Sequence, residues 1–144
     1  MKLLGIDYGR RRIGLAVTDP QGICVRGLET IDRRSCPDAV ARLASIVAEE
    51  APEKLIFGIP LGPNEEETKT AQEVRSFARS VEAQIHLPIA FIEESFSSRR
   101  AEKILRTRKK KQRRDKANVD RIAACLLLQA YLEENSPPSA FSQE

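Results

Sequence analysis

The sequence predicts an α/β fold: a five-stranded mixed sheet, built as a three-strand antiparallel meander followed by β/α alternation, with helices on both faces. Three observations carry this. Short apolar runs follow one another closely at the start, the hydrophobic period then becomes helical, and single strand-like runs afterwards alternate with helical stripes. Leu3–Asp7 (LLGID) is the first strand, and Arg12–Asp19 (RIGLAVTD) follows after a turn-length link carrying Gly9. Gly22–Ile31 is a third strand beyond Pro20-Gln21. Strands so closely spaced pair antiparallel.

After Cys36-Pro37, the residues Val40, Leu43, Ala44 and Val47 mark a helix, with Pro37 suited to its first turn. Leu55–Ile59 (LIFGI) is a continuous apolar run, as expected of a strand covered on both faces. Pro60–Glu66 is a loop, and Thr68–Val81 a helix with Ala71, Val74, Phe77, Ala78 and Val81 on one side. Pro88–Ile92 is the fifth strand, Ser97–Arg106 a further helix, and a last helix runs from about Val119 to Asn135. The fourth and fifth strands, each preceded by a helix, are expected to run parallel to the first. In such sheets a site forms beyond the carboxyl ends of the parallel strands.

A chain of 144 residues is one domain. Residues 1–135 are read as that domain and 136–144 (SPPSAFSQE) as a disordered C-terminal tail. No stretch is long enough and apolar enough to span a membrane. The opening MKLLGIDYGRRR reverses the charge order of a signal peptide. Three widely spaced cysteines (Cys24, Cys36, Cys125) fit free thiols in a reducing cytoplasm. A single histidine, His86, excludes sites with two His ligands and reads as a surface or strand-edge imidazole.

The net charge of +3 conceals an uneven distribution. Arg106–Lys116 (RTRKKKQRRDK) carries +7, which leaves −4 for the rest. A basic cluster of this kind reads as a polyanion contact or as a solvated loop.

Three acids fall where the topology would gather them. Asp7 closes the first strand, Glu94 follows the fifth, and Asp120 lies in the first turn of the last helix. Each has a plainer reading: turn chemistry for Asp7, a helix cap for Glu94, a dipole complement for Asp120. Together, and without histidine, they suit Mg²⁺ or Mn²⁺, which take oxygen ligands. Paired metals of this kind hydrolyse phosphodiesters.

These residues resemble the YqgF family of ribonuclease H-like proteins, known as Holliday-junction resolvases and as pre-16S ribosomal RNA processing nucleases. The resemblance rests on Gly5-Ile6-Asp7-Tyr8-Gly9, Arg12–Pro20, Gly58-Ile59-Pro60-Leu61, Glu93–Ser98 with Ala101-Glu102, and Asp120-Arg121-Ile122-Ala123-Ala124. It implies a ribonuclease H-like fold, a divalent-metal-dependent hydrolase acting on ester bonds, and metal-binding catalytic acids at Asp7, Glu94 and Asp120. Two departures stand out. Ser95 replaces the family's arginine, and the loop Gly62-Pro63-Asn64-Glu65-Glu66 lacks its usual Asp-Gly pair.

Arg10, Arg11 and Arg12 flank the Asp7 turn, and Arg106, Arg108, Lys109, Lys110, Lys111, Arg113 and Arg114 form a basic arm. Both sets are expected to contact nucleic acid. Aromatic residues are only 5%, with no Trp, so shape and backbone recognition is favoured over base stacking. The expected function is 5′-end processing of pre-16S rRNA in ribosome biogenesis. The alternatives are a Holliday-junction resolvase acting on branched DNA and a non-catalytic ribosome-assembly factor, which Ser95 and the altered loop motivate. A sugar-kinase-like phosphotransferase shares the Gly-Ile-Asp-x-Gly pattern but needs two such domains. The partner is structured RNA or branched DNA, with no membrane, and the protein is expected to act as a monomer or homodimer.

Overall fold

The computed structural model describes residues 1–60, 68–93 and 116–135. Its strands are β1 (Leu3–Asp7), β2 (Arg12–Thr18), β3 (Val25–Gly27), β4 (Ile31–Asp32), β5 (Lys54–Ile59) and β6 (Ile89–Glu93). The helices are α1 (Ala39–Glu50), α2 (Lys69–Ile85) and α3 (Lys116–Glu134). Lateral order in the sheet is β3-β2-β1-β5-β6, with β4 also paired to β2. The pairs β1–β2 and β2–β3 are antiparallel, and β1–β5 and β5–β6 are parallel. The carboxyl ends of β1, β5 and β6 therefore share one edge.

The predicted meander is present with one change. Its third run is divided into β3, opposite Ala16–Thr18, and β4, opposite Arg12 and Ile13. Between them the carbonyl of Leu28 accepts a hydrogen bond from Arg121 Nε at 2.9 Å. Arg121 also lies against Gly27, where a Cβ would come within 2.2 Å of its Cγ. A helix side chain thus takes up a backbone carbonyl where one long strand was expected.

Alternation along the strands divides the core between two faces. Leu4, Ile6, Leu15, Val17, Leu55 and Phe57 meet Leu43, Ile46, Val74, Phe77 and Val81 of α1 and α2. On the other face Leu3, Ala16, Ile56 and Ile92 meet Ala124, Leu127 and Leu128 of α3. Helices do cover both faces.

Caps fix the helix limits. Asp38 accepts from Ala41 N at the start of α1, so Pro37 precedes the cap and does not enter the first turn. Thr68 does the same for α2 through Ala71 N, and that helix runs on to Ile85, beyond the Val81 expected. His86 ends it in the left-handed conformation (φ 56°), its amide bonded to Glu82 O. It is exposed, as its sequence surroundings suggest. The expected Ser97–Arg106 helix, most of the Pro60–Glu66 loop and the tail 136–144 lie outside the described residues. All three cysteines are free thiols. Burial raises the Cys125 thiol, with Arg121 opposing.

Candidate active site

Asp7 ends β1 on the α3 face, in alternation with Leu3 and Gly5, and is 9% exposed. Its register partner across β2 is Gly14. A Cβ built on Gly14 would stand 2.2 Å from the carbonyl oxygen of Asp120 and 3.1 Å from its Cβ. Only a residue without a side chain lets α3 come this close. The contact carries Asp120 to the strand position opposite Asp7, so the sheet edge and the helix bring two of the three predicted acids together.

Asp120 sits in the second turn of α3, because the helix begins at Lys116 and not near Val119. Four residues into the helix, a carboxylate gains little from the terminal dipole. Its partner is instead Arg12, whose Nε donates to Oδ2 at 3.0 Å. Arg12 opens β2 on the same face as Gly14, and the pair is about three-quarters shielded, with side-chain exposures of 23% and 26%.

Glu94 lies outside the described residues. The preceding residue, Glu93, ends β6 opposite Ile59, at the same edge as Asp7. Among the described residues no group of three or more potential ligands forms a metal centre. What is present is oxygen-only and partly shielded, a donor set suited to a hard divalent cation.

The basic residues divide by partner. Arg10 is exposed and held by Glu73 of α2 through Nε (3.0 Å) and Nη2 (2.9 Å). This hydrogen-bonded pair raises the Arg10 pKa and holds Glu73 below the usual carboxylate range. Arg11 is exposed, and Arg12 is engaged with Asp120. The arm from Arg106 to Arg114 lies outside the described residues.

Arg33 was not among the residues predicted to matter. Its Nη1 donates to Tyr8 Oη at 2.9 Å and to Gly9 O at 3.4 Å, and its guanidinium lies 5.2 Å from the Tyr8 ring centroid. The signal that finds it is register. Once β4 pairs Asp32 with Arg12, the next residue falls beside the Asp7 turn.

A mixed sheet covered by helices on both faces, with acids at the carboxyl edge of its first strand, defines a ribonuclease H-like α/β protein. Solved structures support that fold. Thermus thermophilus RuvC in complex with a Holliday junction substrate aligns with a TM-score of 0.60 at 17% identity, covering 94% of this chain and 97% of that one. Fowlpox virus resolvase, solved with substrate Holliday junction DNA, aligns at 0.58 and 14% identity, covering 95% and 100%.

The family model described as RuvX, Holliday junction resolvase, matches residues 1–134, and the chain belongs to that family. A Synechococcus elongatus protein named "Putative pre-16S rRNA nuclease" is 38% identical over 138 residues, 96% of this chain and 93% of that protein. A protein of the same name from Thermosynechococcus vestitus is 39% identical over 136 residues, covering 94% and 90%. One from Syntrophus aciditrophicus is 37% identical over all 144 residues, covering 92% of that protein. Among the described residues no helix is long and apolar enough to cross a membrane.

Proposed function

We propose that this protein is a divalent-metal-dependent endonuclease that hydrolyses phosphodiesters in structured RNA, with 5′-end processing of pre-16S rRNA as its role. The observation that carries the reading is the approach of Asp120 to the Asp7 position across Gly14. Two shielded carboxylates at one sheet edge repel each other unless cations accompany them. Names borne by relatives that span nearly the whole chain support the RNA substrate.

In this reading Asp7, Glu94 and Asp120 hold Mg²⁺ or Mn²⁺. When bound, the metal supplies an activated water and charge neutralisation at the leaving oxygen. Arg12 orients the Asp120 carboxylate through its Nε–Oδ2 bond. Arg10, Arg11 and the arm Arg106–Arg114 take up the phosphate backbone, and Arg12 adds its charge beside them. Residues 1–135 form the catalytic domain, 136–144 its tail, and the cytoplasm is the compartment.

The family description favours a second reading, a resolvase acting on branched DNA. Symmetric cleavage of a junction calls for a twofold dimer, whereas trimming an RNA end needs only a monomer. Incubating the purified protein and Asp7→Asn with an rRNA precursor and with a four-way junction, each with and without Mg²⁺, tests both. Metal-dependent cutting of the precursor by wild type alone is expected. Cleavage by Asp7→Asn at the wild-type rate would contradict the assignment of the site.

A further inference from the structure

The acid pair occupies the α3 face of the sheet edge, but the strand that carries Asp7 sends its next residue to the opposite face. There Tyr8 packs against the α1/α2 core and lines a pocket of about 260 Å³ together with Arg33, Glu73, Ser76, Phe77 and Ser80. Arg33 is fixed in this pocket by two hydrogen bonds from Nη1 and by contact with two rings, Tyr8 at 5.2 Å and Phe77 at 5.7 Å. Its Nε and Nη2 make no bond to another described residue. The carboxylate on the pocket wall, Glu73, is already held by Arg10 through both of its oxygens. Two guanidinium groups thus meet one carboxylate, leaving a positive charge in a polar recess. Ser76 and Ser80, one helical turn apart, stand exposed on its rim.

We propose that this pocket is a phosphate subsite, in which Arg33 receives a phosphate group of the polynucleotide whose neighbouring bond is cut at the acid pair. A guanidinium held rigid by ring contacts presents its remaining donors as a fork, the geometry that matches phosphate oxygens. The Ser76 hydroxyl adds a neutral donor. The turn Tyr8 to Arg11 separates pocket from acids, so a strand lying over this edge passes both. This subsite rests on the nucleic-acid reading above and gives it a second anchor, on the face of the sheet away from α3.

The test is metal-free binding of a hairpin RNA as a function of salt, which needs no cleavage. The variants are Arg33→Gln and Ser76→Asp, with Arg26→Gln as control, since Arg26 pairs with Glu50 at the far end of the sheet. Each lost phosphate contact removes about 0.7 to 0.9 from the log–log salt slope. Arg33→Gln is expected to lose about that much and to bind roughly fivefold more weakly at low salt, while Arg26→Gln keeps the wild-type slope. Ser76→Asp places a negative charge on an exposed helical position and is expected to weaken binding likewise, so the proposal does not depend on one variant folding. RNA with a 5′-hydroxyl and RNA with a 5′-phosphate distinguish the source. A slope loss with both supports an internal phosphodiester, and a loss confined to the 5′-phosphate form supports a terminal phosphate in the same pocket. Wild-type slopes for both variants, with RNA still bound, overturn the subsite and leave the proposed function standing. If wild type binds no RNA or junction at any salt, the functional reading fails and the subsite with it.

Discussion

Arg12 and Asp120 lie 108 positions apart in the chain, and their ion pair fastens the helix that carries one acid to the strand beside the other. Removing the guanidinium by Arg12→Gln takes this counter-charge and its hydrogen bond away from the Asp120 carboxylate. A shielded pair of this kind contributes about 1 kcal/mol, so a comparable loss of stability is expected in metal-free buffer. Because a divalent cation can replace the missing positive charge, Mg²⁺ should raise the melting temperature of Arg12→Gln more than that of wild type. Equal shifts would show that the metal and the arginine do not answer to the same carboxylates. Asp7→Asn keeps the side-chain volume and removes the charge. Its metal-dependent cleavage is expected to fall by about a hundredfold or more, with the fold unchanged by circular dichroism.

The seating of α3 on the sheet depends on Gly14, where a methyl group would meet a backbone carbonyl that no rotamer change can move away. Gly14→Ala should therefore lift the first turns of α3, costing about 1–3 kcal/mol by overpacking and lowering cleavage through displacement of Asp120. The β2–β3 connection offers a pH signature. Asp19 Oδ1 accepts from Ile23 N at 2.7 Å and Cys24 N at 3.3 Å, and the Ile23 bond is the chief cause of its lowered pKa. Asp19 binds fewer protons folded than unfolded, so its stabilisation is present above the ordinary carboxylate range and disappears as pH falls through its folded pKa. Acid titrations of wild type and Asp19→Asn should converge at low pH and separate above it. Parallel curves would dissociate the loop from stability. The elements themselves were largely legible. β1, β2 and β5 are short, largely apolar runs, and α2 shows its stripe in the sequence. The division of the third strand was not, because it involves Arg121 bonding to Leu28 from 93 positions away. Nor was the start of α3. Its first residue, Lys116, belongs to the basic run, and positive charge opposes the dipole at a helix N-terminus.

Across the whole molecule, a small net charge of +3 separates into an acidic body and a basic run of eleven residues. Within the described body the topology places Asp7 and Asp120 together and sets Arg33 on the reverse of the same edge, a residue no local pattern singles out. Of the proposed ligands, Asp7 was legible as the end of a strand and Asp120 as a member of a helix. Their approach needed the antiparallel register that sets Gly14 opposite Asp7. In the proposed function this edge holds the divalent metal with which the protein cuts structured RNA. The most direct test is a cleavage assay on pre-16S rRNA, single-stranded RNA and a four-way DNA junction, run with Mg²⁺, with chelator, and with Asp7→Asn. Mg²⁺-dependent cutting of the rRNA precursor by wild type is expected, with cleavage lost on chelation and in Asp7→Asn. Undiminished cutting by Asp7→Asn, or no cutting of any of the three substrates by a folded wild-type protein with Mg²⁺, would contradict the proposed function.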